Sequence, residues 1–276
     1  MSQRYDIETS NFLNLLRSGA FNESKPIGIM SDFKWSRLVR LAYWHRVTPI
    51  FAKGIENFHY DDNLNIPDSQ IEQIKEQLRE FPSQGISDLY VFDRIHLKNK
   101  KLEERLQQLI NKEYGDMEKS YETMQVMAIL LTNVENILSY KSLLKGVIDL
   151  GRYLRLDGDK VDFVKLEKWL AQTKMTDMAN MQGNLLIEGF GFSKEELPFV
   201  TKIDPRSYRW LKRALMQKEF RHHPSINTSV NQFALSSPMT AFRAIRHTLA
   251  YRSLAPGEVI STISKGIMRG LAEIDE

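Results

Sequence analysis

The distribution of proline constrains the fold of this chain more than any other feature. Its 276 residues include nine prolines, and none of them lies between Ser83 and Leu197. Because a proline inside a helix costs about 3 kcal/mol, a stretch without proline permits long helices. Strict alternation of apolar and polar residues, which a half-buried strand requires, is hard to find anywhere in the chain. We therefore predict an all-α fold, a multi-helix bundle of about 11–13 helices.

Two consecutive segments carry the apolar spacing of long, paired helices. In segment 86–110, mostly apolar residues recur at intervals of three and four, as in a helix packed lengthwise on another. The series, whose one polar member is asparagine, is Phe92, Ile95, Asn99, Leu102, Leu106 and Leu109. Segment 116–140 repeats the pattern after a break at Gly115 and Asp116. We therefore predict that these two segments form a long central helical hairpin.

Shorter helices are predicted on both sides of this hairpin. Apolar spacing, prolines and glycines place them near 9–17, 33–45, 48–54, 69–81, 164–174, 176–189, 205–221, 238–252 and 256–271. Ser69 and Glu72 fit a capping box, in which each side chain satisfies a free amide of the first helical turn. Ser193 and Glu196 repeat that pattern.

Segment 222–237 is the best candidate for a linker. It is rich in serine, asparagine and proline, residues that favour loops over regular structure. We therefore predict a helical scaffold domain over residues 1–221, this linker, and a C-terminal region of basic amphipathic helices over residues 238–276.

Composition indicates a globular protein of the cytoplasm. Hydrophobic residues make up 42% of the chain and charged residues 26%, a balance that permits a buried core. The absence of cysteine excludes disulfides and thiolate metal sites, which suits a reducing compartment. The start, MSQRYDIETS, lacks the basic and apolar regions of a signal peptide. No run approaches the ~18 apolar residues of a transmembrane helix, so we expect a cytoplasmic protein without one.

Segment 143–169 permits two incompatible interpretations. In the first, Lys145 approaches a phosphate, while Asp157 and Asp159 hold Mg²⁺ and a nucleoside triphosphate for nucleotidyl transfer. Such a carboxylate pair needs a strand, where alternate residues share one face. In the second, the segment is two helices joined by a turn, with Asp157 or Asp162 as a cap. Helical spacing on both sides favours the second interpretation, so we predict no catalytic residue, no metal site and no cofactor.

Positive charge is concentrated toward the C-terminus. The formal net charge of the chain is +3, which is too small to imply nucleic-acid binding. From residue 205 to residue 271, however, eleven lysines and arginines accompany only two acidic residues. This uneven distribution indicates that the basic region is a candidate binding surface.

Two predicted helices of the basic region carry the candidate binding residues. Three arginines of the first helix are spaced by three and four residues and so share one face. The second helix has an apolar stripe between two arginines, formed by Met239, Phe242, Ile245 and Leu249. Such helices are typical of surfaces that bind a partner protein, an anionic membrane or nucleic acid. They are equally typical of a helix that docks on the core and exposes its charges to solvent. The candidate binding residues are Arg206, Arg209, Lys212, Arg213, Arg243 and Arg246.

The order of the helical segments resembles that of a large bacterial family described as nucleotidyltransferases, often encoded near surface-polysaccharide genes. The N-terminal helices of that family are similar to NFLNLLRSG, WSRLVRLAYWHRVTPIFAKGI and RIHLKNKKLEERLQQLI. Its C-terminal helices are similar to VIDLGRYLRLDGDKVDFVKLEKWLAQTKMTDMANMQGNLLIEGFGFSKEELPF, and its ending to YRWLKRALMQKEF and LAYRSLAPGEVI.

The catalytic core of that family has no counterpart here. In the family, the helix similar to residues 94–110 leads into a Lys-Gly turn and an Arg-x-x-Gly-Asp-x-Asp strand, whereas this chain continues NKEYGDMEKSYETMQVMAILL. The resemblance therefore implies a non-catalytic helical scaffold that binds a partner protein, in surface-polysaccharide assembly. Two alternatives stay open: a divergent Mg-dependent nucleotidyltransferase using Lys145, Asp157 and Asp159, or peripheral binding of membrane or nucleic acid through the basic C-terminal region.

Overall fold

The described part of the chain is all-α. A computed structural model describes residues 5–81, 86–139, 141, 143–215 and 238–272. These residues form thirteen α-helices, two 3₁₀ helices and no β-strand, which confirms the predicted fold class. The α-helices are α1 Ile7–Phe21, α2 Asp32–Trp44, α3 Thr48–Asn57, α4 Asp68–Leu78, α5 Ile86–Leu89, α6 Lys100–Gly115, α7 Tyr121–Leu138, α8 Leu144–Asp157, α9 Phe163–Gln172, α10 Thr176–Phe190, α11 Ser207–Leu215, α12 Pro238–Leu249 and α13 Pro256–Ala272.

Two glycines let α1 and α3 cross at close range. A Cβ atom on Gly19 of α1 would lie 1.9 Å from the carbonyl oxygen of Ile50. A Cβ atom on Gly54 of α3 would lie 2.0 Å from the carbonyl oxygen of Leu15. Both obstacles are backbone atoms, which cannot turn aside as a flexible side chain can. The N-terminal helices therefore meet at a contact that only glycine permits.

The central hairpin consists of α7 and α8, which pack against each other, so its predicted assignment to segments 86–110 and 116–140 was wrong. Segment 86–99 contains α5, a 3₁₀ helix and extended backbone, and α6 begins only after it. Asn99 is the N-cap of α6, and its Oδ1 accepts from a first-turn N–H at 3.2 Å. An N-cap has extended backbone and marks where a helix begins, so the asparagine in the apolar series is the start of α6 and not part of a longer helix.

A buried polar chain connects the hairpin to α10. Gly146 of α8 faces Asn133 of α7, and a Cβ atom on Gly146 would lie 1.8 Å from Asn133 Oδ1. Asn133 Nδ2 donates to Gln182 Oε1 at 2.9 Å. Gln182 Nε2 in turn donates to the carbonyl oxygen of Leu130 at 3.1 Å. The two hydrogen bonds join α7 to α10, and the close approach at Gly146 packs α8 against the same asparagine.

Segment 143–169 is two helices joined by a turn, as predicted. α8 ends at Asp157, a 3₁₀ helix covers Gly158–Lys160, and α9 follows. Asp162 Oδ1 accepts the N–H of Lys165 at 2.9 Å and thereby caps α9. The segment contains no strand, so the carboxylates at 157 and 159 lack the strand that the nucleotidyl-transfer interpretation requires.

The two predicted capping boxes differ in outcome. α4 begins at Asp68 without a side-chain cap, so Ser69 lies inside the first turn and that prediction was wrong. Ser193 and Glu196 do form the reciprocal hydrogen bonds, at 3.4 Å from Glu196 N–H to Ser193 Oγ and 2.7 Å from Ser193 N–H to Glu196 Oε2. They close a turn rather than start an α-helix, because the proline at 198 disfavours helical backbone in the residue before it.

α12 and α13 lie against the preceding helices. The carboxylate of Glu258, in the first turn of α13, accepts the backbone N–H groups of Lys98 and Asn99, the latter at 2.9 Å. Both donors lie just before α6, where amides have no partner within the helix. The predicted linker 222–237 lies outside the described residues. Among the helices of the described ranges, none is long and apolar enough to cross a membrane.

Candidate functional site

The start of α11 is fixed by a buried aspartate. Asp204 is 5% exposed, and its Oδ1 accepts the backbone N–H of Arg206 at 2.8 Å. The Arg206 guanidinium binds both carboxylate oxygens, with Nε 3.0 Å from Oδ1 and Nη2 2.9 Å from Oδ2. These hydrogen bonds hold the pKa of the Asp204 carboxyl below its ordinary value. The N–H of Asp204 donates to Asn184 Oδ1 at 2.8 Å, which ties α11 to α10.

The middle of α11 is held by aromatic stacking. The ring of Trp210 stacks on that of Tyr251, with centroids 5.0 Å apart. The guanidinium carbon of Arg213 lies 5.0 Å from the Trp210 ring and 6.0 Å from the Tyr251 ring. Trp210 Nε1 is buried and has no acceptor within the described part of the chain. A buried donor left without a partner costs about 1–3 kcal/mol.

α12 docks on the end of α7. The buried residues of its docking face are Ala241, Ala244 and Thr248. Thr248 Oγ1 donates to the carbonyl oxygen of Leu138 at 3.0 Å. His247 Nε2 lies 2.9 Å from the carbonyl oxygen of Ile137 and donates to it, because a carbonyl only accepts. Since the last carbonyls of a helix have no partner within it, α12 serves as the C-terminal cap of α7.

This docking leaves the apolar stripe of α12 on its open side. Phe242 is 62% exposed and Leu249 is 38% exposed, while Ile245 is half-buried. The side chain of Met239, which was predicted in the same stripe, lies outside the described residues. A cluster of bulky apolar side chains on an open surface is typical of an interaction site.

A groove of about 630 Å³ lies between α11 and α12, and we call it the arginine groove. Its α11 wall is formed by Arg206, Arg209, Trp210 and Arg213. Its second wall, from α12 and the turn after it, is formed by Phe242, Ile245, Arg246, Leu249 and Arg252. Of the described residues that line the groove, five are arginines and none is acidic.

Three of these arginines have donors available. Arg206 is paired with Asp204, and Arg213 lies over the stacked rings. Arg209, Arg246 and Arg252 are exposed, and no described acidic residue pairs with them. An available guanidinium presents a planar fork of N–H donors that matches a carboxylate or a phosphate. The groove is therefore suited to an anionic ligand.

The groove contains most of the predicted binding residues and some that were not predicted. Arg206, Arg209, Arg213 and Arg246 line it. Lys212 and Arg243 are exposed on the same two helices but do not line it. Arg252 and Trp210 were missed as site residues. Arg252 follows the end of α12, and no helical spacing relates it to the other arginines. The run of positive charge in the sequence was the one signal that included Arg252.

The residues of the alternative nucleotidyl-transfer site are not brought together. Lys145 lies in the first turn of α8 and Asp157 is the last residue of that helix. At a rise of 1.5 Å per residue, about 18 Å of helix separates them. Asp157 pairs instead with Lys160, whose Nζ lies 2.6 Å from its Oδ1. No group of three or more histidine, aspartate or glutamate residues in the described ranges is arranged to hold a metal ion.

Lys145 is bound to a buried carboxylate. Its Nζ lies 2.5 Å from Oδ2 of Asp149, which is 2% exposed. Tyr90 Oη donates to the same oxygen at 2.8 Å. Burial, together with the Asp149 charge, raises the pKa of Tyr90, so the phenol stays protonated and keeps donating. The Lys145 ammonium therefore neutralises a buried charge between α8 and the segment before α6.

Comparisons with protein-family models, with curated proteins and with solved structures found no match to this chain. The resemblance to nucleotidyltransferases therefore stays a prediction from the sequence pattern. The chemistry of the arginine groove follows from its own geometry and charge.

Proposed function

We propose that the protein is a non-catalytic helical scaffold that binds an acidic segment of a partner protein in the arginine groove. One observation carries this proposal: arginines from α11, from α12 and from the turn after α12 converge on one concave surface. No acidic residue among the described lining residues offsets them. A concave surface of one charge attracts ligands of the opposite charge and raises the rate of their association.

The available donors suit carboxylates. A guanidinium binds a carboxylate through two parallel hydrogen bonds, as Arg206 does with Asp204. Arg209, Arg246 and Arg252 can each make the same contact with a ligand. One exposed ion pair contributes only about 0.2–1 kcal/mol. Several arginines must therefore act together, with apolar contacts, to hold a partner.

The two walls are fixed before any ligand binds. Asp204 anchors the start of α11 on α10, and His247 and Thr248 anchor α12 on the end of α7. Because these helices need no ordering on binding, little conformational entropy is lost. A rigid site of this kind supports the role of a scaffold.

In this proposal the chain keeps the helical scaffold of the nucleotidyltransferase family that it resembles, without the transferase chemistry. The separation of Lys145 from Asp157 along α8 supports that division. Surface-polysaccharide assembly is the setting that the resemblance suggests for the partner.

The test is a selection of random displayed peptides on the full-length protein. We expect peptides rich in aspartate and glutamate to be enriched. Arg209→Glu should abolish that enrichment because it reverses a charge inside the groove. Lys212→Glu makes the same change on the same helix outside the groove and should leave the enrichment intact. Equal enrichment on all three proteins, or none on the unmodified protein, would disprove the proposed function.

A further inference from the structure

The two walls of the arginine groove differ in chemistry. The α11 wall is cationic, with the guanidinium groups of Arg206, Arg209 and Arg213. The second wall presents the apolar side chains of Phe242, Ile245 and Leu249, with Arg246 and Arg252 beside them. A ligand that fills the groove must therefore turn an apolar side toward the stripe of α12 and acidic groups toward the arginines of α11 and those beside the stripe.

From this asymmetry we infer that the ligand is an amphipathic α-helix with an acidic face beside an apolar face. The inference rests on the proposed function and specifies the partner segment. Its apolar residues would contact the α12 wall at helical spacing, and its aspartates or glutamates would pair with the arginines.

The dimensions of the walls match a short helix. Arg206 and Arg213 delimit the α11 wall, and Phe242 and Leu249 delimit the apolar stripe of α12. Each pair is seven residues apart in sequence, which at 1.5 Å per residue is about 10 Å, or two turns. A helical ligand with acidic residues at positions i, i+3 or i+4, and i+7 matches this length on one side. Apolar residues at the same intervals on the adjacent face of the ligand match the length of the apolar stripe of α12.

A helix suits this groove better than an extended peptide. An extended peptide gains main-chain hydrogen bonds from a protein chiefly where a strand edge receives it. The described ranges contain no strand, so the walls offer no such edge. A helix satisfies its own backbone groups and needs only side-chain contacts from the groove.

The indole of Trp210 reports on the α11 wall of the groove. Trp210 lines the groove and is 8% exposed, and its Nε1–H has no acceptor among the described residues. Because the Arg213 guanidinium lies 5.0 Å from its ring, a carboxylate that pairs with Arg213 changes the electrostatic environment of that N–H.

Other anionic partners match fewer of these features. Nucleic acid supplies phosphates, but its bases need exposed aromatic faces, and the Trp210 ring already contacts Tyr251 and Arg213. A membrane surface is flat, whereas these arginines line a concave site. Both classes enter the experiment as competitors.

The experiment measures the affinity of the full-length protein for fluorescent peptides of about 15 residues, or four helical turns. The first peptide places leucines on one helical face and glutamates on the adjacent face. The second has the same composition in scrambled order, and the third replaces glutamate by glutamine. We expect the first to bind at least about tenfold more tightly than either of the others.

Matched variants locate the bound peptide on both walls. Arg209→Glu should weaken binding about fivefold or more, whereas Lys212→Glu should change it less than about twofold. Phe242→Ser should weaken binding similarly, whereas Ile260→Ser should not. Phe242 and Ile260 are 62% and 64% exposed, so the two serine variants remove equally exposed side chains. In amide NMR spectra, the indole N–H signal of Trp210, assigned with Trp210→Phe, should shift on binding.

Several outcomes would overturn the inference. Equal affinity for the first and scrambled peptides, weakened by Arg209→Glu, would show recognition of charge alone and leave the proposed function standing. Displacement of the first peptide by oligothymidylate or by phosphatidylglycerol vesicles at lower concentration would assign the groove to nucleic acid or membrane. Absence of binding at millimolar peptide would also overturn the inference, and the display selection would then decide the proposed function independently.

Discussion

The ring of Trp210 in α11 stacks on the ring of Tyr251, which follows α12, at an interplanar angle of 24°. Tyr251 is 1% exposed, so this contact belongs to the core as well as to the arginine groove. It joins one wall of the groove to the turn that completes the other. The spacing of the walls therefore depends on the packing of two aromatic rings.

We predict that the two rings are energetically coupled. Trp210→Leu, Tyr251→Leu and the double variant form a mutant cycle, measured by urea unfolding. The coupling free energy should be about 0.5–1.5 kcal/mol, because stacked aromatic pairs add that much beyond their buried area. Additive effects of the two substitutions would show that the rings contribute through burial alone.

Local signals in the sequence were sufficient for several elements. Asp162 precedes a helical apolar pattern, and its side chain caps α9, as an aspartate at an N-cap position typically does. The turn around Gly158 and the helices on either side of it likewise follow from spacing and composition over a few residues. Signals of this kind act within one helical turn, so one sequence is enough to detect them.

The orientation of α12 could not be predicted in that way. Hydrophobicity favours burial of Phe242, Ile245 and Leu249, yet α12 docks by the face that carries Ala244 and Thr248. The reason is the hydrogen bond from Thr248 to the end of α7, together with the close packing that small residues permit. Those carbonyl groups are more than a hundred residues away in sequence, and no local pattern reports their position. The arginine groove depends on this docking and was therefore not predictable either.

The contact between α7 and α8 predicts a penalty at Gly146. Gly146→Ala should lower the free energy of unfolding by about 1–3 kcal/mol, because the new Cβ would overlap Asn133 Oδ1 in a packed core. Urea unfolding measures the change. Gly115→Ala is the matched control at the end of α6, where no heavy atom lies within 4 Å of the new Cβ. The control should be neutral or stabilising by about 0.4–1 kcal/mol, and equal losses at both sites would contradict the steric explanation.

The carboxylate of Glu258 should hold α13 on the start of α6. In Glu258→Gln, one oxygen is replaced by an NH₂ group, so one of the amides of Lys98 and Asn99 loses its acceptor. We expect a loss of about 1–3 kcal/mol in unfolding free energy and faster hydrogen exchange at these two amides. Glu167→Gln, an exposed change on α9, should stay within about 0.5 kcal/mol. Unchanged exchange at residues 98 and 99 would show that the carboxylate is dispensable there.

His247 should make the stability of the protein depend on pH. Burial, with a smaller contribution from the nearby Arg213 charge, lowers the pKa of His247 from an ordinary value of 6.5 to about 4, against the opposing effect of the hydrogen bond to Ile137. Between these two pKa values the unfolded chain binds a proton that the folded protein does not. The free energy of unfolding should therefore fall as the pH drops from 6.5 to 4, by up to about 3 kcal/mol.

The comparison of the unmodified protein with His247→Gln isolates this contribution. Glutamine keeps an N–H donor for the carbonyl oxygen of Ile137 but does not titrate, so the variant should lose the part of the acid destabilisation due to His247. Burial raises the pKa of Glu258, which opposes acid destabilisation, but that effect is common to both proteins and cancels in the difference. Urea unfolding at several pH values between 4 and 7 should give curves that diverge below pH 6.5, with the variant relatively more stable in acid. Parallel curves over this range would mean that His247 takes up its proton equally well in the folded and unfolded states. The docked end of α12 would then be open to water in the native protein.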